Sequence, residues 1–268
     1  MSTVLKFLVG LALVYLAVVA IAYFAQRRLT YFPNPTRVAP SEVGLKGVTE
    51  ETLTASDGAK LVAWYAPAPP GRPTLLYFHG NAGGLSGRAY RLQRYQNAGF
   101  GMLMLSYRGY SGGSGSPSEA ANYADARLAY DSLIARGLKP EQIFLYGESL
   151  GSGVATQLAT QVPVAGVILD APYTSLPDVG AGQYPFLPVR VLMSDRYDTA
   201  SRIASINAPL LILHGTRDRV VPVAMGRRLN ELAREPKRYV EFPGGGHVDL
   251  DAHGAVDTVR AWVDEVRR

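Results

Sequence analysis

The segment Ile-Phe-Leu-Tyr-Gly-Glu-Ser-Leu-Gly-Ser-Gly at positions 143–153 decides the fold. It opens with four apolar or aromatic residues, a run that is typical of a buried parallel strand. Gly147 and Gly151 then flank Ser149, and two glycines let the chain pass from a strand into a helix within a few residues. We therefore expect Ser149 at the tip of a tight turn, with the unpaired amide groups of the following helix facing it.

The segments on either side alternate strand and helix patterns, which predicts an α/β fold with a mostly parallel sheet flanked by helices. A hairpin around an Asp-Gly turn, over residues 48–65, precedes the parallel strands. Right-handed crossovers place the carboxyl ends of parallel strands along one edge, where ligands bind in open sheets. The other predicted strands are 74–78, 101–107, 164–169, 209–213 and 238–242, and the predicted helices are 87–98, 118–136, 223–234 and 252–266.

The composition is that of one larger α/β domain, with 268 residues of which 47% are hydrophobic. The chain has no cysteine, which excludes disulfides, thiol chemistry and thiolate metal sites. The net charge is +5, from 27 basic and 22 acidic residues, and the basic residues form no stripe interleaved with aromatics. Nucleic acid is therefore not predicted as a partner.

The N-terminal region carries no charged residue from position 7 to position 25, which is close to the about 20 apolar residues that a helix needs to cross a bilayer. Tyr23 and Phe24 lie near one end of this run, as interfacial aromatics do, and two arginines follow at 27 and 28. We predict an uncleaved, single-span membrane anchor over residues 1–28.

Two other interpretations of this run stay open. A cleaved signal sequence would use Ala20-Ile21-Ala22 as its cleavage site, although that site lies inside the apolar run. A buried helix of the domain is the third possibility. The side of the membrane is open as well, because Arg27 and Arg28 favour a cytoplasmic carboxyl end whereas Lys6 and the amino terminus favour the opposite.

Behind the anchor the sequence predicts two further regions. Residues 29–47 are rich in proline and indicate an extended linker. Residues 48–268 carry the α/β pattern, and within them residues 171–208 predict a short cap over the sheet edge. We find no internal repeat.

Ser149 needs a base in order to act as a nucleophile, and the sequence offers four histidines. His79 and His214 each end a buried strand, so we expect their rings to be satisfied by loop backbone. His247 lies in a glycine-rich loop after the last strand, and three glycines let that loop reach over the sheet edge. His253 lies at the start of the last predicted helix and is expected to face solvent. His247 is therefore the predicted base.

The partner that orients the base is predicted to be Asp218, which follows a buried strand directly. In this hypothesis Ser149 attacks an acyl carbonyl, His247 takes its proton, and Asp218 fixes the imidazole tautomer. The backbone amides of Leu150 and Asn81 would form the oxyanion hole. The Asn81 side chain is expected only to tie down its own loop.

Six short motifs, in this order, resemble the α/β-hydrolase superfamily, and within it the membrane-anchored serine hydrolases related to yeast Bem46. The similarity covers about residues 31–268, and the order serine, aspartate, histidine is the one expected of that superfamily. The resemblance implies hydrolysis of acyl esters or thioesters with no cofactor, and it supplies no physiological substrate. The motifs are His79-Gly80-Asn81-Ala82-Gly83, Ser106-Tyr107-Arg108-Gly109-Tyr110, Gly147-Glu148-Ser149-Leu150-Gly151, Asp195-Arg196-Tyr197-Asp198, His214-Gly215-Thr216-Arg217-Asp218 and Gly246-His247.

The predicted cap contains apolar residues that suggest an acyl pocket, in particular Tyr173, Phe186 and Leu187. Plain packing of the cap on the sheet is the alternative for each of them. The predicted substrate is a small-molecule or lipid acyl ester, and no metal is implied. A peptidase of the prolyl-oligopeptidase type and a non-catalytic, membrane-tethered binding module remain as competing functions.

Overall fold

A computed structural model describes residues 2–268, in which ten strands and nine α-helices form one α/β unit with an N-terminal helix. The strands are β1 (Phe32–Pro33), β2 (Thr49–Thr54), β3 (Lys60–Ala66), β4 (Thr74–Phe78), β5 (Ala82–Gly83), β6 (Gly101–Leu105), β7 (Ile143–Glu148), β8 (Gly166–Asp170), β9 (Leu210–Gly215) and β10 (Lys237–Phe242). The helices are α1 (Thr3–Thr30), α2 (Ala89–Asn97), α3 (Glu119–Ala135), α4 (Leu150–Ala159), α5 (Leu176–Gln183), α6 (Val189–Leu192), α7 (Thr199–Arg202), α8 (Val223–Leu232) and α9 (Ala255–Val266).

The main sheet has eight strands within the described residues, in the order β10-β9-β8-β7-β4-β6-β3-β2. The strands β2 and β3 form the predicted antiparallel hairpin, and β3 also pairs antiparallel with β6. From β6 to β10 every neighbouring pair is parallel. The predicted fold class is confirmed.

The central strands are continuous apolar runs because both faces of the sheet are covered. Every residue of β4, β6, β7, β8 and β9 is buried. Successive side chains of a strand point to opposite faces, so Leu76 and Phe78 pack in one core with α3 and α4. Leu75 and Tyr77 pack in a second core with α2 and α9.

The bounds of the parallel strands fall within two residues of the predicted ones. The last helix begins three residues later than predicted, at Ala255. The reason is local: residues 250–253 form a 3₁₀ turn, and Gly254 ends it with a φ of 94°, which a continuous α-helix does not allow.

The helix α1 has no buried residue, and it alone among the helices of residues 2–268 is long and apolar enough to cross a membrane. Ser2 caps its first turn by accepting from the Leu5 amide at 3.3 Å. Such a helix near an amino terminus fits a membrane anchor or a signal sequence.

The predicted extended linker is instead attached to the domain at its first residues. Tyr31 is 4% exposed and packs in the core that contains α3 and α4. The next two residues, β1, pair in parallel with β5, which follows Asn81. Tyr31 has buried polar partners that the local sequence does not reveal. Its hydroxyl bonds Asp195 at 3.0 Å and Tyr197 at 2.9 Å.

The region predicted as a short cap, 171–208, holds α5, α6 and α7 and no strand. Ser175 begins α5 by accepting from the Asp178 amide at 3.2 Å. Pro188 precedes α6, and Asp198 caps α7 through the Ser201 amide at 3.1 Å. These short helices lie between β8 and β9 in the chain, so they sit beside the turn that holds Ser149.

Candidate active site

The turn between β7 and α4 holds Ser149 in a conformation that few L-residues adopt. Its φ is 49° and its ψ is −114°, and its amide donates to the Asp170 carbonyl at 2.8 Å. A Cβ on Gly147 would lie 2.3 Å from the Gly151 carbonyl oxygen, and a Cβ on Gly151 would lie 2.0 Å from that of Phe78. Both glycines are therefore required by the close approach of α4 to the sheet, and this approach presents the strained serine at the sheet edge.

The structure brings Ser149, His247 and Asp218 together. The distance from His247 Nε2 to Ser149 Oγ is 2.8 Å, and that from His247 Nδ1 to Asp218 Oδ2 is 2.7 Å. The three residues come from the loops after β7, β10 and β9. Because Nδ1–H donates to the carboxylate, the other ring nitrogen is left to accept the serine proton.

Asp218 is held by more groups than the sequence predicted. Its Oδ1 accepts from the amides of Val220 and Val221, each at 2.8 Å. His214 Nε2 lies 3.4 Å from its Oδ2 and donates to the Val221 carbonyl at 2.9 Å. Burial acts to raise the pKa of Asp218, but the hydrogen bonds from His214 and His247 outweigh it and hold the pKa below its usual range. Asp218 is therefore ionised, as the partner of a histidine base must be.

The two residues whose amides are expected to bind an oxyanion line the same cavity as Ser149. Asn81, Leu150 and Ser149 all line that cavity. Leu150 is the first residue of α4, so its N–H has no partner within the helix. Within residues 2–268 neither of the two amides donates to a protein acceptor. The Asn81 side chain does tie down its loop, since its Nδ2 donates to the Thr30 carbonyl at 2.8 Å.

Comparison with known proteins identifies the family. Residues 75–193 match the sequence model described as "Alpha/beta hydrolase family". The chain is also 31% identical over 269 residues to the α/β-hydrolase domain-containing protein WAV2 of Arabidopsis thaliana, an alignment that covers 90% of this chain and 87% of that protein. The chain belongs to the α/β-hydrolase family.

Two further likenesses are consistent with this hydrolase family. The chain is 41% identical over 260 residues to an uncharacterised protein of Mycobacterium tuberculosis strain H37Rv, covering 95% of this chain and 92% of that one. Among solved structures, the Pyrococcus furiosus esterase Pf2001 superposes with a TM-score of 0.70 at 18% identity, over 88% of this hydrolase and 98% of the esterase. At that identity the likeness concerns the fold.

Glu148, the residue before Ser149, belongs to a buried charge network beneath the turn. Glu148 accepts from Arg88 Nη2 at 3.0 Å and from the Tyr77 hydroxyl, and Arg91 Nη1 lies 3.7 Å away. Burial acts to raise the pKa of Glu148, but the charges of Arg88 and Arg91 outweigh it and hold the pKa below its usual range. Arg88 also donates to the Ala82 carbonyl at 2.9 Å. The network therefore ties the nucleophile turn to the loop that carries Asn81.

A cavity of about 220 Å³ opens onto Ser149 and is lined mainly by apolar side chains. Two of the three predicted substrate contacts line it, Tyr173 and Leu187. The Tyr173 hydroxyl donates to the Leu150 carbonyl at 3.1 Å, which fixes the ring at the base of the cavity. Phe186 differs from the prediction: it does not line the cavity, and its side chain is 61% exposed. Leu187 therefore faces the cavity, whereas Phe186 faces outward.

The sequence missed one whole wall of this cavity. Residues of the second half of α1 line it, whereas the sequence predicts only a membrane anchor up to residue 28 and a linker from residue 29. No local signal marks them, because an apolar run reads the same whether its side chains face lipid or a cavity. They are Val19, Ala22, Tyr23, Gln26, Leu29 and Thr30.

The remaining histidines lie outside the candidate site. His79 is buried, with Nδ1 2.6 Å from the Gly80 carbonyl oxygen and Nε2 3.4 Å from the Tyr107 amide. His253 lies 3.8 Å from Asp249 and away from Ser149 Oγ. Among residues 2–268, no three His, Asp or Glu side chains are grouped so that they could hold a metal ion.

Proposed function

We propose that this chain is a membrane-anchored serine hydrolase that cleaves acyl esters or thioesters through an acyl-enzyme. The observation that carries the proposal is the pair of distances at His247, 2.8 Å to Ser149 Oγ and 2.7 Å to Asp218 Oδ2. A nucleophile, a base and an orienting carboxylate within hydrogen-bond reach are the elements of nucleophilic acyl transfer.

The proposed reaction has two half-reactions. Ser149 Oγ attacks the acyl carbonyl while His247 Nε2 takes the hydroxyl proton, and the amides of Asn81 and Leu150 donate to the oxyanion. The tetrahedral intermediate collapses, the bond to the leaving group breaks, and His247 protonates the departing alcohol or thiol. Water then attacks the acyl-enzyme with His247 as base, which releases a carboxylic acid and restores Ser149.

The apolar cavity supports an acyl chain as the part of the substrate that is held. Tyr173 and Leu187 would contact that chain, and burial of each methylene contributes up to about 0.8 kcal/mol. The α1 helix supports the anchor over residues 1–28, with the catalytic domain over 48–268. Together with the six motifs, these features support the proposal that the chain resembles the membrane-anchored hydrolases related to Bem46.

An ester is favoured over a peptide because the cap is short. Residues 171–208 contain only three α-helices of four to eight residues, and no separate gating domain covers the site within the described chain. A peptide amide also needs stronger protonation of its leaving group than an ester. A binding module without catalysis is disfavoured, because His247 contacts both Ser149 and Asp218.

Hydrolysis of 4-methylumbelliferyl acetate tests the proposal. Ser149→Ala should lower kcat/KM by about 10³-fold or more, since members of such a triad act as a unit. Ser132→Ala, on α3 and away from the site, should retain activity. An aminoacyl 7-amino-4-methylcoumarin amide should be a poor substrate. Full activity of Ser149→Ala would contradict the mechanism, and faster cleavage of the amide than of the ester would favour the peptidase.

A further inference from the structure

The second half of α1 forms one wall of the cavity that contains Ser149. On the opposite side the wall comes from the cap, where Leu176, Val179 and Leu187 line the same space. The cavity reaches Val19. This residue lies six positions before Ala25, the last residue of the apolar run. At a rise of about 1.5 Å per residue, this corresponds to a depth of roughly 9 Å below the end of the apolar segment.

The helix is fixed to the catalytic domain by polar contacts at its C-terminal end. Gln26 Oε1 accepts from the Ser194 amide at 2.7 Å, and Arg27 Nε lies 3.3 Å from Asp195 Oδ2. The Thr30 carbonyl accepts from Asn81 Nδ2, on the loop of the proposed oxyanion hole. The position of α1 relative to the nucleophile is therefore set by the fold.

A second contact lies deeper along α1. The Tyr15 hydroxyl donates to the Phe186 carbonyl at 3.0 Å. Tyr15 lies ten residues before Ala25, about 15 Å along the helix axis and so half of a hydrocarbon core of about 30 Å. A hydroxyl at that depth needs a protein acceptor, because no water is present there. If α1 crosses the bilayer along its apolar run, the tip of the cap lies in the leaflet that residues 15–25 of α1 cross.

The surface of the cap tip fits such an environment. We call residues 186–191 the cap tip, and the Phe186 carbonyl contacts Tyr15 of α1. Within the cap tip Phe186 is 61% exposed and Val191 is 81% exposed. The charged residue between them in sequence, Arg190, reaches back to Asp178 on α5, with Nε 3.0 Å from Oδ1. A long arginine side chain that extends toward a polar partner while its neighbours face lipid is common at membrane interfaces.

We propose that the cavity opens sideways into the bilayer between α1 and the cap tip, and that the substrate is an acyl-ester lipid taken from the same leaflet. This inference rests on the proposed serine hydrolase function and adds the source of the substrate. The acyl chain enters between Val19 on α1 and Leu187 on the cap, and its ester carbonyl reaches Ser149. The ester C–O bond breaks, the acyl group passes to Ser149 Oγ, the alcohol leaves with the proton from His247, and water releases the fatty acid.

A matched pair of substrates tests this entry route with the full chain in phosphatidylcholine vesicles. One is 4-methylumbelliferyl oleate within the vesicles, and the other is 4-methylumbelliferyl acetate in water, so the leaving group is the same. Val191→Asp should lower oleate hydrolysis by at least about tenfold, the effect of a ~1.4 kcal/mol penalty for placing a charge against lipid. It should leave acetate hydrolysis near the wild-type rate. Ile134→Asp, a half-exposed apolar position on α3, should change neither rate.

The outcomes separate the two proposals. Equal losses for oleate and acetate, or no loss for either, would overturn entry from the bilayer. Wild-type protein that hydrolyses acetate but not oleate would overturn it too and would leave the serine hydrolase intact. Wild-type protein that hydrolyses neither ester would contradict the proposed function itself.

A direct measurement of depth does not depend on activity. Phe186→Trp introduces an indole at the cap tip, whereas the native Trp64 and Trp262 are buried. Vesicles that contain phosphatidylcholine brominated on its acyl chains should quench the new fluorescence, and the matched Ile134→Trp should be unaffected. Absence of quenching for Phe186→Trp would place the cap tip in water and would overturn the inference.

Discussion

Asp218 determines the orientation of the proposed base, because its Oδ2 accepts from His247 Nδ1 while its Oδ1 is held by two backbone amides. Asp218→Asn keeps the size of the side chain but removes its charge, and its amide group can hold the imidazole in the wrong tautomer. We expect kcat for 4-methylumbelliferyl acetate to fall by about 10⁴-fold, the loss caused by the same change in a trypsin-type serine protease. Asp257→Asn, an exposed position on α9, serves as the control. Unchanged kcat in Asp218→Asn would assign the orienting role to another carboxylate.

His79 gives a prediction for the dependence of stability on pH. Burial, and then the charge of Arg88, lower the pKa of His79 to about 3, and its Nε2 accepts from the Tyr107 amide, as a neutral ring does. The unfolded chain takes up this proton near pH 6.5. Between these values the unfolded state binds more protons, so the free energy of unfolding falls as the pH is lowered, by up to ~1.4 kcal/mol per unit.

Urea unfolding at about pH 7 and about pH 5 measures this loss, since both values lie above the pKa of ordinary carboxyl groups. His79→Gln should show a shallower change of unfolding free energy between the two pH values than the wild type. His253→Gln, at the surface, should retain the wild-type change. If His79→Gln retains it too, His79 is protonated in the folded protein and our account of its burial is wrong.

At the level of single residues, the sequence located Ser149, His247 and Asp218 because each follows a strand in a recognisable setting. Glycines on both sides identified Ser149, and three glycines in one loop identified His247. The contact between His214 and Asp218 could not be predicted, since the local pattern does not say which side chains at the end of β9 and in the loop after it turn toward each other. The outward direction of Phe186 was equally hidden, because it depends on how the cap packs.

Among the elements, the junction of β7 and α4 is where the packing is tightest. A Cβ on Gly151 would lie 2.0 Å from a backbone oxygen of β4, an atom that cannot move without displacing the sheet. Gly151→Ala should therefore lower the free energy of unfolding by about 3 kcal/mol or more and reduce activity with it. Gly182→Ala, on α5 where an added methyl group meets nothing within 4 Å, is the matched control. Chemical denaturation of both variants measures the difference, and equal stabilities would show that the junction can open at little cost.

The strands of the sheet were predictable because burial on both faces determines their residue pattern. Strands covered on both faces are continuous apolar runs, and β4 was predicted to the residue. The segment after α1 was not, because Tyr31 is buried by partners about 165 positions away, Asp195 and Tyr197. Contacts of that range depend on the tertiary fold and leave no periodic trace in a proline-rich stretch.

For the whole molecule, the central question is what α1 does. The structure places its second half against the cavity, which a cleaved signal sequence would leave open. We expect the mature protein to retain its N-terminus and to stay with membranes after alkaline carbonate extraction, with release only by detergent. Mass spectrometry of the N-terminal peptide measures this directly. A mature protein that begins at Tyr23 would have lost the wall formed by Val19 and Ala22 and would contradict the membrane anchor.

The arrangement of α1 over the active site is the part of the molecule that the sequence could not supply. Length and composition predicted that the helix could span a bilayer, but they carry no information on its angle to the domain. That angle follows from contacts such as Gln26 with Ser194 and Thr30 with Asn81, which join distant parts of the chain. If α1 is the proposed membrane anchor, this arrangement sets Ser149 next to the bilayer that would supply its substrate.

The most direct test of the account is the site of reaction with a fluorophosphonate, mapped by mass spectrometry of the intact protein and of its peptides. We expect a single adduct on Ser149, because that hydroxyl alone is paired with His247. The adduct should be absent in Ser149→Ala, should form much more slowly in His247→Ala and should form at the wild-type rate in His253→Ala. An adduct on another serine with Ser149 unmodified, or no adduct on folded wild-type protein, would contradict the claim that this chain is a serine hydrolase built on Ser149, His247 and Asp218.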